Sequence, residues 1–134
     1  MAKYVYPAIF TKENNNSFSI VFPDFESCYT SGDNVQDGLT MANDVLCLTL
    51  YELETNGADI PAASDPLKIK YDENSFVTLV SCDTLAYRKF YNNKSVKKTL
   101  TVPAWLDDMA VKEGVNFSKT LQNALMEQLN LTQQ

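Results

Sequence analysis

The sequence predicts an α+β protein in two parts. The first is a small β-β-β-α-β sheet domain with one long helix, and the second is a strand–helix–helix module that needs a second copy of itself. Three observations predict this. Short β-forming runs separated by turns flank a single long stripe of 3.6 periodicity. Lys97 to Val102 then alternates polar and apolar residues, stops at Pro103, and precedes two amphipathic segments divided at Gly114. Charge divides with the pattern: residues 1–85 hold four Lys and no Arg against thirteen Asp and Glu, a net −9, and residues 86–134 hold seven Lys and Arg against four acids, a net +3.

Lys3 to Thr11 is rich in Tyr, Val, Ile and Phe and reads as a strand, with Pro7 pointing to an edge or an irregularity. Glu13 to Ser17 is a turn, and Phe18 to Phe22 closes a hairpin. Ser27 to Ser31 is a short third strand that ends at Gly32. Asp33 is the expected N-cap of the long helix, with Gln36 in the capping-box position. Val35, Leu39, Ala42, Leu46, Leu50 and Leu53 form its stripe, widened by Val45 and Leu48, and Gly57 ends it in a left-handed cap. A loop with two prolines leads to Ser75–Cys82, whose apolar run suggests an interior strand. Leu85 to Tyr91 fits helix or strand, and its Tyr87, Phe90 and Tyr91 are expected to pack on the front domain. The boundaries read from this are 1–91 for the front domain, 92–95 for a polar linker and 96–134 for the back module.

In the back module Pro103 suits the first turn of a helix whose buried face is Leu106, Met109 and Ala110. Trp105 reads as a packing residue. Gly114 ends this helix, Asn116 caps the next, and Phe117, Leu121, Ala124, Leu125 and Leu129 share one face. A unit this small rarely holds a core alone, and a lone strand cannot complete its hydrogen bonds. Pairing with a twin molecule meets both needs, so a homodimer or a higher even-numbered oligomer is expected.

Side chains alternate along a strand, so Leu100 and Val102 face one way and Lys97, Thr99 and Thr101 the other. Two such strands make a ribbon of a size that enters the major groove of duplex DNA. Lys97 and Lys98 then suit guanine or phosphate, Thr99 and Thr101 base edges, and Ser118 and Lys119 at the N-terminus of the last helix a phosphate clamp.

With 134 residues, 45% of them hydrophobic and 21% charged, the chain is of globular composition. No apolar run is long enough to span a membrane, and no secretory segment is evident, so a cytoplasmic protein is expected. Cys28, Cys47 and Cys82 are far apart and read as buried, reduced thiols. The chain has no His, which removes the commonest general base and the His-ligated metal sites. No catalytic residue, cofactor or metal is expected.

At this point the chain resembles a known family, the HicB-type antitoxins of bacterial toxin–antitoxin pairs. In the front domain the resemblance rests on Tyr6-Pro7-Ala8-Ile9-Phe10, Phe22-Pro23-Asp24-Phe25 and Cys28-Tyr29-Thr30-Ser31-Gly32-Asp33. In the back it rests on Thr101-Val102-Pro103-Ala104-Trp105-Leu106 and on Asn116 to Leu125, which resemble a ribbon–helix–helix DNA-binding domain. Glu26-Ser27 replaces the Pro-Gly usual in the family, and Gly38 stands where its helix favours Ala. The resemblance implies a partial ribonuclease H-like front domain that binds and neutralises a small basic, RNA-cleaving, HicA-like toxin. It also implies a dimeric ribbon–helix–helix module that represses its own operon by binding double-stranded operator DNA. The alternatives are a stand-alone ribbon–helix–helix transcription regulator without a toxin, and a Mg²⁺-dependent nuclease using Asp24, Glu26, Asp33, Asp37 and Asp83. The acids show no recognised spacing for metal chemistry.

Overall fold

The computed structural model describes residues 3–131 and divides into two compact units after Lys94. In the first unit, β1 (Lys3–Lys12), β2 (Phe18–Val21) and β3 (Tyr29–Gly32) precede α1 (Val35–Thr55). A 3₁₀ turn at Pro66–Lys68, β4 (Ser75–Asp83) and α2 (Thr84–Tyr91) follow. All four strands are antiparallel in the order β3-β2-β1-β4. The sheet is mixed with helices as an α+β fold, as the alternating runs require.

The β1–β2 hairpin turns through Asn16 at φ 67, a left-handed conformation that Asn tolerates. Pro7 sits in a central strand, yet β2 pairs only with Ile9 to Lys12. At Pro7 the strand therefore has β4 alone beside it, and a missing N–H is tolerated there. β4 is a sheet edge, not the interior strand its apolar run suggests. The run arises because β4 is apolar on both faces: Val80 and Cys82 enter the core, while Leu79 on the opposite face is 54% exposed.

The even-numbered residues of β1 (Tyr6, Ala8, Phe10), with Ile20, Phe22, Val80 and Cys82, form a core against Ala42, Leu46, Cys47 and Leu50 of α1. Ala42, Leu46 and Leu50 of the expected stripe are buried, but its N-terminal part and its widening differ. Gly38 is buried, whereas Val35, Leu39 and Leu48 are exposed. The N-cap is also shifted by one residue. Asn34, not Asp33, accepts the Asp37 N–H (2.8 Å), and the Asp37 carboxylate accepts the Asp33 N–H (2.9 Å). Asn and Asp both serve as N-caps, so the residue types alone do not select between the two positions. Gly57 at φ 64 ends α1 in a Schellman arrangement, with Ala58 N–H donating to Leu53 O and Gly57 N–H to Glu54 O.

The second unit holds α3 (Ala104–Lys112) and α4 (Phe117–Gln128). Pro103 stands just before α3, and Gly114 (φ 66) ends it with the same pair of hydrogen bonds, from Val115 to Ala110 and from Gly114 to Val111. Asn116 caps α4 by accepting the Lys119 N–H at 3.0 Å. Asn130 (φ 57) supplies the left-handed residue after α4. Residues 93–103 belong to no strand or helix, so the Lys97–Val102 segment has no ladder partner within the described chain.

Candidate functional site

The candidate DNA-contacting residues come together only in sequence order. Lys97, Lys98, Thr99 and Thr101 lie exposed in the 93–103 segment, and Ser118 and Lys119 lie exposed in the first turn of α4. Cap geometry fixes the last pair: the Asn116 side chain takes up the Lys119 N–H, and the other first-turn amides face outward from the helix end.

None of the described residues from 95 onward is buried. Leu106 is 43% exposed, Phe117 47%, Leu125 50% and Trp105 65%. The expected buried face of α3 and the packing role of Trp105 are therefore not met within one chain. The apolar stripes are present, but the single copy supplies nothing to cover them. The described part of the unit has amphipathic helices and no interior.

In the first unit, Glu54 near the end of α1 is the centre of a polar network. Its side chain is only 8% exposed. It accepts hydrogen bonds from Tyr4 Oη (2.9 Å), Thr84 Oγ1 (3.0 Å) and Arg88 Nη2 (3.1 Å). Burial alone would raise the Glu54 pKa, but the hydrogen bonds from Tyr4, Arg88 and Thr84 outweigh it and hold the carboxylate below its ordinary value. The Tyr4 hydroxyl is pushed up to about 12 by burial and by the same carboxylate. Arg88 also lies over the Tyr51 ring, 4.7 Å from its centroid. This network ties α1, β1 and α2 together, and sequence spacing gave no sign of it.

Three of the five acids considered for a nuclease are engaged in local structure. Asp24 accepts from the Ser64 N–H (3.0 Å) and the Ser64 hydroxyl, Asp37 from the Asp33 N–H, and Asp83 caps α2 by accepting from Leu85 and Ala86. Among the described residues no group of three or more His, Cys, Asp or Glu is placed to hold a metal ion. Cys28, Cys47 and Cys82 are buried free thiols, and burial raises the pKa of each. Tyr87 packs between Tyr51 and Tyr91, with ring centroids 5.4 and 4.5 Å away. Phe90 and Tyr91 are 73% and 64% exposed, contrary to their expected packing on the domain: an eight-residue helix buries one side only, and that side is taken by Thr84, Tyr87 and Arg88. No helix among the described residues is long and apolar enough to cross a membrane.

Several solved structures share this fold. A chain of the toxin–antitoxin complex from Streptococcus pneumoniae is 28% identical, with a TM-score of 0.62, and the match covers 94% of this chain and 99% of that one. The antitoxin HicB of Burkholderia pseudomallei is 16% identical, with a TM-score of 0.54 over 94% of this chain and 98% of that one. A chain of the HicA3 and HicB3 toxin–antitoxin complex is 23% identical, with a TM-score of 0.50 over 60% of this chain and 99% of that one. No curated protein matches the chain. The family model for HicB-like antitoxins of bacterial toxin–antitoxin systems matches residues 6–125, and the chain belongs to that family.

Proposed function

We propose that the chain neutralises a small basic, RNA-cleaving toxin through its acidic first unit and represses its own operon through a dimer of its second unit. In this reading residues 1–91 are the partial ribonuclease H-like, toxin-binding domain, 92–95 the linker, and 96–134 a ribbon–helix–helix module. The observation that carries it is the second unit itself: two amphipathic helices and an alternating segment, with no buried residue among the described residues of a single copy. A twin covers the apolar stripes and pairs Lys97–Val102 with its own copy, so that Leu100 and Val102 turn inward. Lys97, Thr99 and Thr101 then face the major groove, with Lys98, Ser118 and Lys119 on the flanking phosphates. The net −9 of residues 1–85 suits a cationic, RNA-binding partner.

Two measurements test this. The full chain, tagged and co-expressed with the product of the adjacent gene, should bring down a small basic protein. Sedimentation at micromolar concentration should give an even number of copies, and Leu125→Glu should shift the mass to a single copy and abolish operator binding. Capture of no basic protein removes the toxin from the reading and leaves a stand-alone regulator. A wild-type mass of one copy removes the module.

A further inference from the structure

On the first unit, α1 and α2 leave an open trough between them. Two adjoining cavities, of about 440 and 300 Å³, share Asp44, Tyr87 and Tyr91 in their walls. Phe90 and Asp83 line the first, and Met41 and Leu48 line the second. No Lys or Arg lines either one. Phe90, Tyr91, Met41 and Leu48 are all more than a third exposed, so two helices contribute apolar and aromatic surface to the trough. The three rings of α2 stand close together: Tyr87 and Tyr91 at 4.5 Å, and Phe90 and Tyr91 at 4.8 Å with an edge-on tilt of 67°.

The polar groups of the trough are one-signed. Asp83 spends one carboxylate oxygen on the Leu85 and Ala86 N–H groups, which leaves the other available. The Asp44 carboxylate is exposed, and it makes no hydrogen bond or ion pair among the described residues. Aromatic faces attract cations, and two carboxylates beside them add a charge that an apolar ligand cannot use. A flat carbon surface with an acidic rim and no cation of its own is complementary to the stem and head of a long basic side chain.

We propose that this trough is the docking site for an Arg- or Lys-presenting segment of the basic protein partner. The cationic head seats between Asp44 and the rings of Tyr87 and Tyr91, and the aliphatic stem lies along Phe90. This rests on the antitoxin reading and names the part of the first unit that engages the toxin. The opposite face of the sheet, with Val5, Val21 and Leu79 exposed, offers no acid of comparable freedom. Of its outward positions only Asp83 is acidic, and that carboxylate already belongs to the rim of the trough.

The test uses the full chain and the adjacent-gene product that co-purifies with it, with affinity measured by titration calorimetry after the two are separated and refolded. Asp44→Lys should weaken binding by about a hundredfold, as expected for reversing one member of a close charge pair. Asp44→Asn should weaken it less, and Tyr91→Ala by roughly tenfold through lost cation–π and contact area. Leu79→Ser, on the other face, should leave it within about twofold, a surface change of little weight. Thermal melts of the variants within a few degrees of wild type exclude unfolding as the cause. If wild type binds and the three trough variants bind equally well, the docking site is elsewhere and the antitoxin reading stands. If wild type binds no basic protein, both fall. If Asp44→Lys instead halves the mass of the free chain, a second copy occupies the trough and the proposal is overturned.

Discussion

Gly32 at the end of β3 and Gly38 in the second turn of α1 meet backbone to backbone. A Cβ on Gly32 would lie 2.4 Å from Gly38 Cα, and one on Gly38 would lie 2.9 Å from Phe10 Cε2 and 3.1 Å from Ile20 Cδ1. The two glycines let the helix cross the sheet low enough for Ala42 and Leu46 to reach the core. Gly32→Ala should therefore lower stability by about 2–3 kcal/mol, since the obstacle is backbone and cannot rotate away. Gly57→Ala, with open space around the site and φ at +64, should cost only about 1 kcal/mol for the left-handed conformation. Urea denaturation of both variants checks the contrast, and equal costs would show that the close approach is not the constraint.

The Glu54 network gives a pH dependence. The folded-state pKa of Glu54 lies below its unfolded value, so it binds its proton less readily when folded. Its contribution to stability is complete above the unfolded carboxylate value of about 4.3 and is lost as pH falls through the lower, folded value. Glu54→Gln should be less stable than wild type at pH 7. It should also lose less stability on acidification below about pH 4, where wild type protonates the group. Parallel urea midpoints across that range measure the difference, and superimposable acid slopes would exclude Glu54 as a source.

The thiols are predicted to be slow. Cys28, Cys47 and Cys82 are 1%, 5% and 2% exposed, and burial raises the pKa of each, so little thiolate is accessible near neutrality. An aromatic disulfide reagent at pH 8 should label the folded chain on the timescale of unfolding and label all three at once in denaturant. Rapid labelling of one thiol in the native chain would contradict the observed burial.

On the proposed repressor reading, the threonines and the lysines should respond differently. Thr99→Ala with Thr101→Ala should weaken operator binding by roughly 1–3 kcal/mol while leaving random DNA little changed. Lys94→Ala or Lys98→Ala should weaken both and lower the salt slope by about 1. Equal losses on operator and random DNA for the threonine pair would deny them a reading role.

Much of the first unit was legible because β periodicity, turn residues and the Gly57 stop are local signals. The errors came from non-local geometry. Val35 and Leu39 look like core in a helical projection, but the sheet contacts Gly38 and Ala42, and Gly38 has no side chain to contribute to a hydrophobic pattern. The apolar run of β4 suggested an interior strand because two-sided burial and an uncovered apolar face give the same residues. The Tyr4–Glu54–Arg88 network joins residues 50 and 34 positions apart, beyond any spacing rule. Thr99, Thr101, Ser118 and Lys119 were visible as residue types because alternation and capping are local as well. The trough walls come from β3, α1, β4 and α2, which the sequence separates and the fold juxtaposes.

Among the described residues none beyond 95 is buried, so in the proposed dimer the persistence of that region depends on how many copies surround it. In the dimer proposed above, folding of this unit would follow mass action, so dilution of the chain by growth should melt those helices while the sheet, which carries its own packing, endures. A protease would then shorten the molecule at the loosened end first, which would make the region a gauge of abundance in its own right.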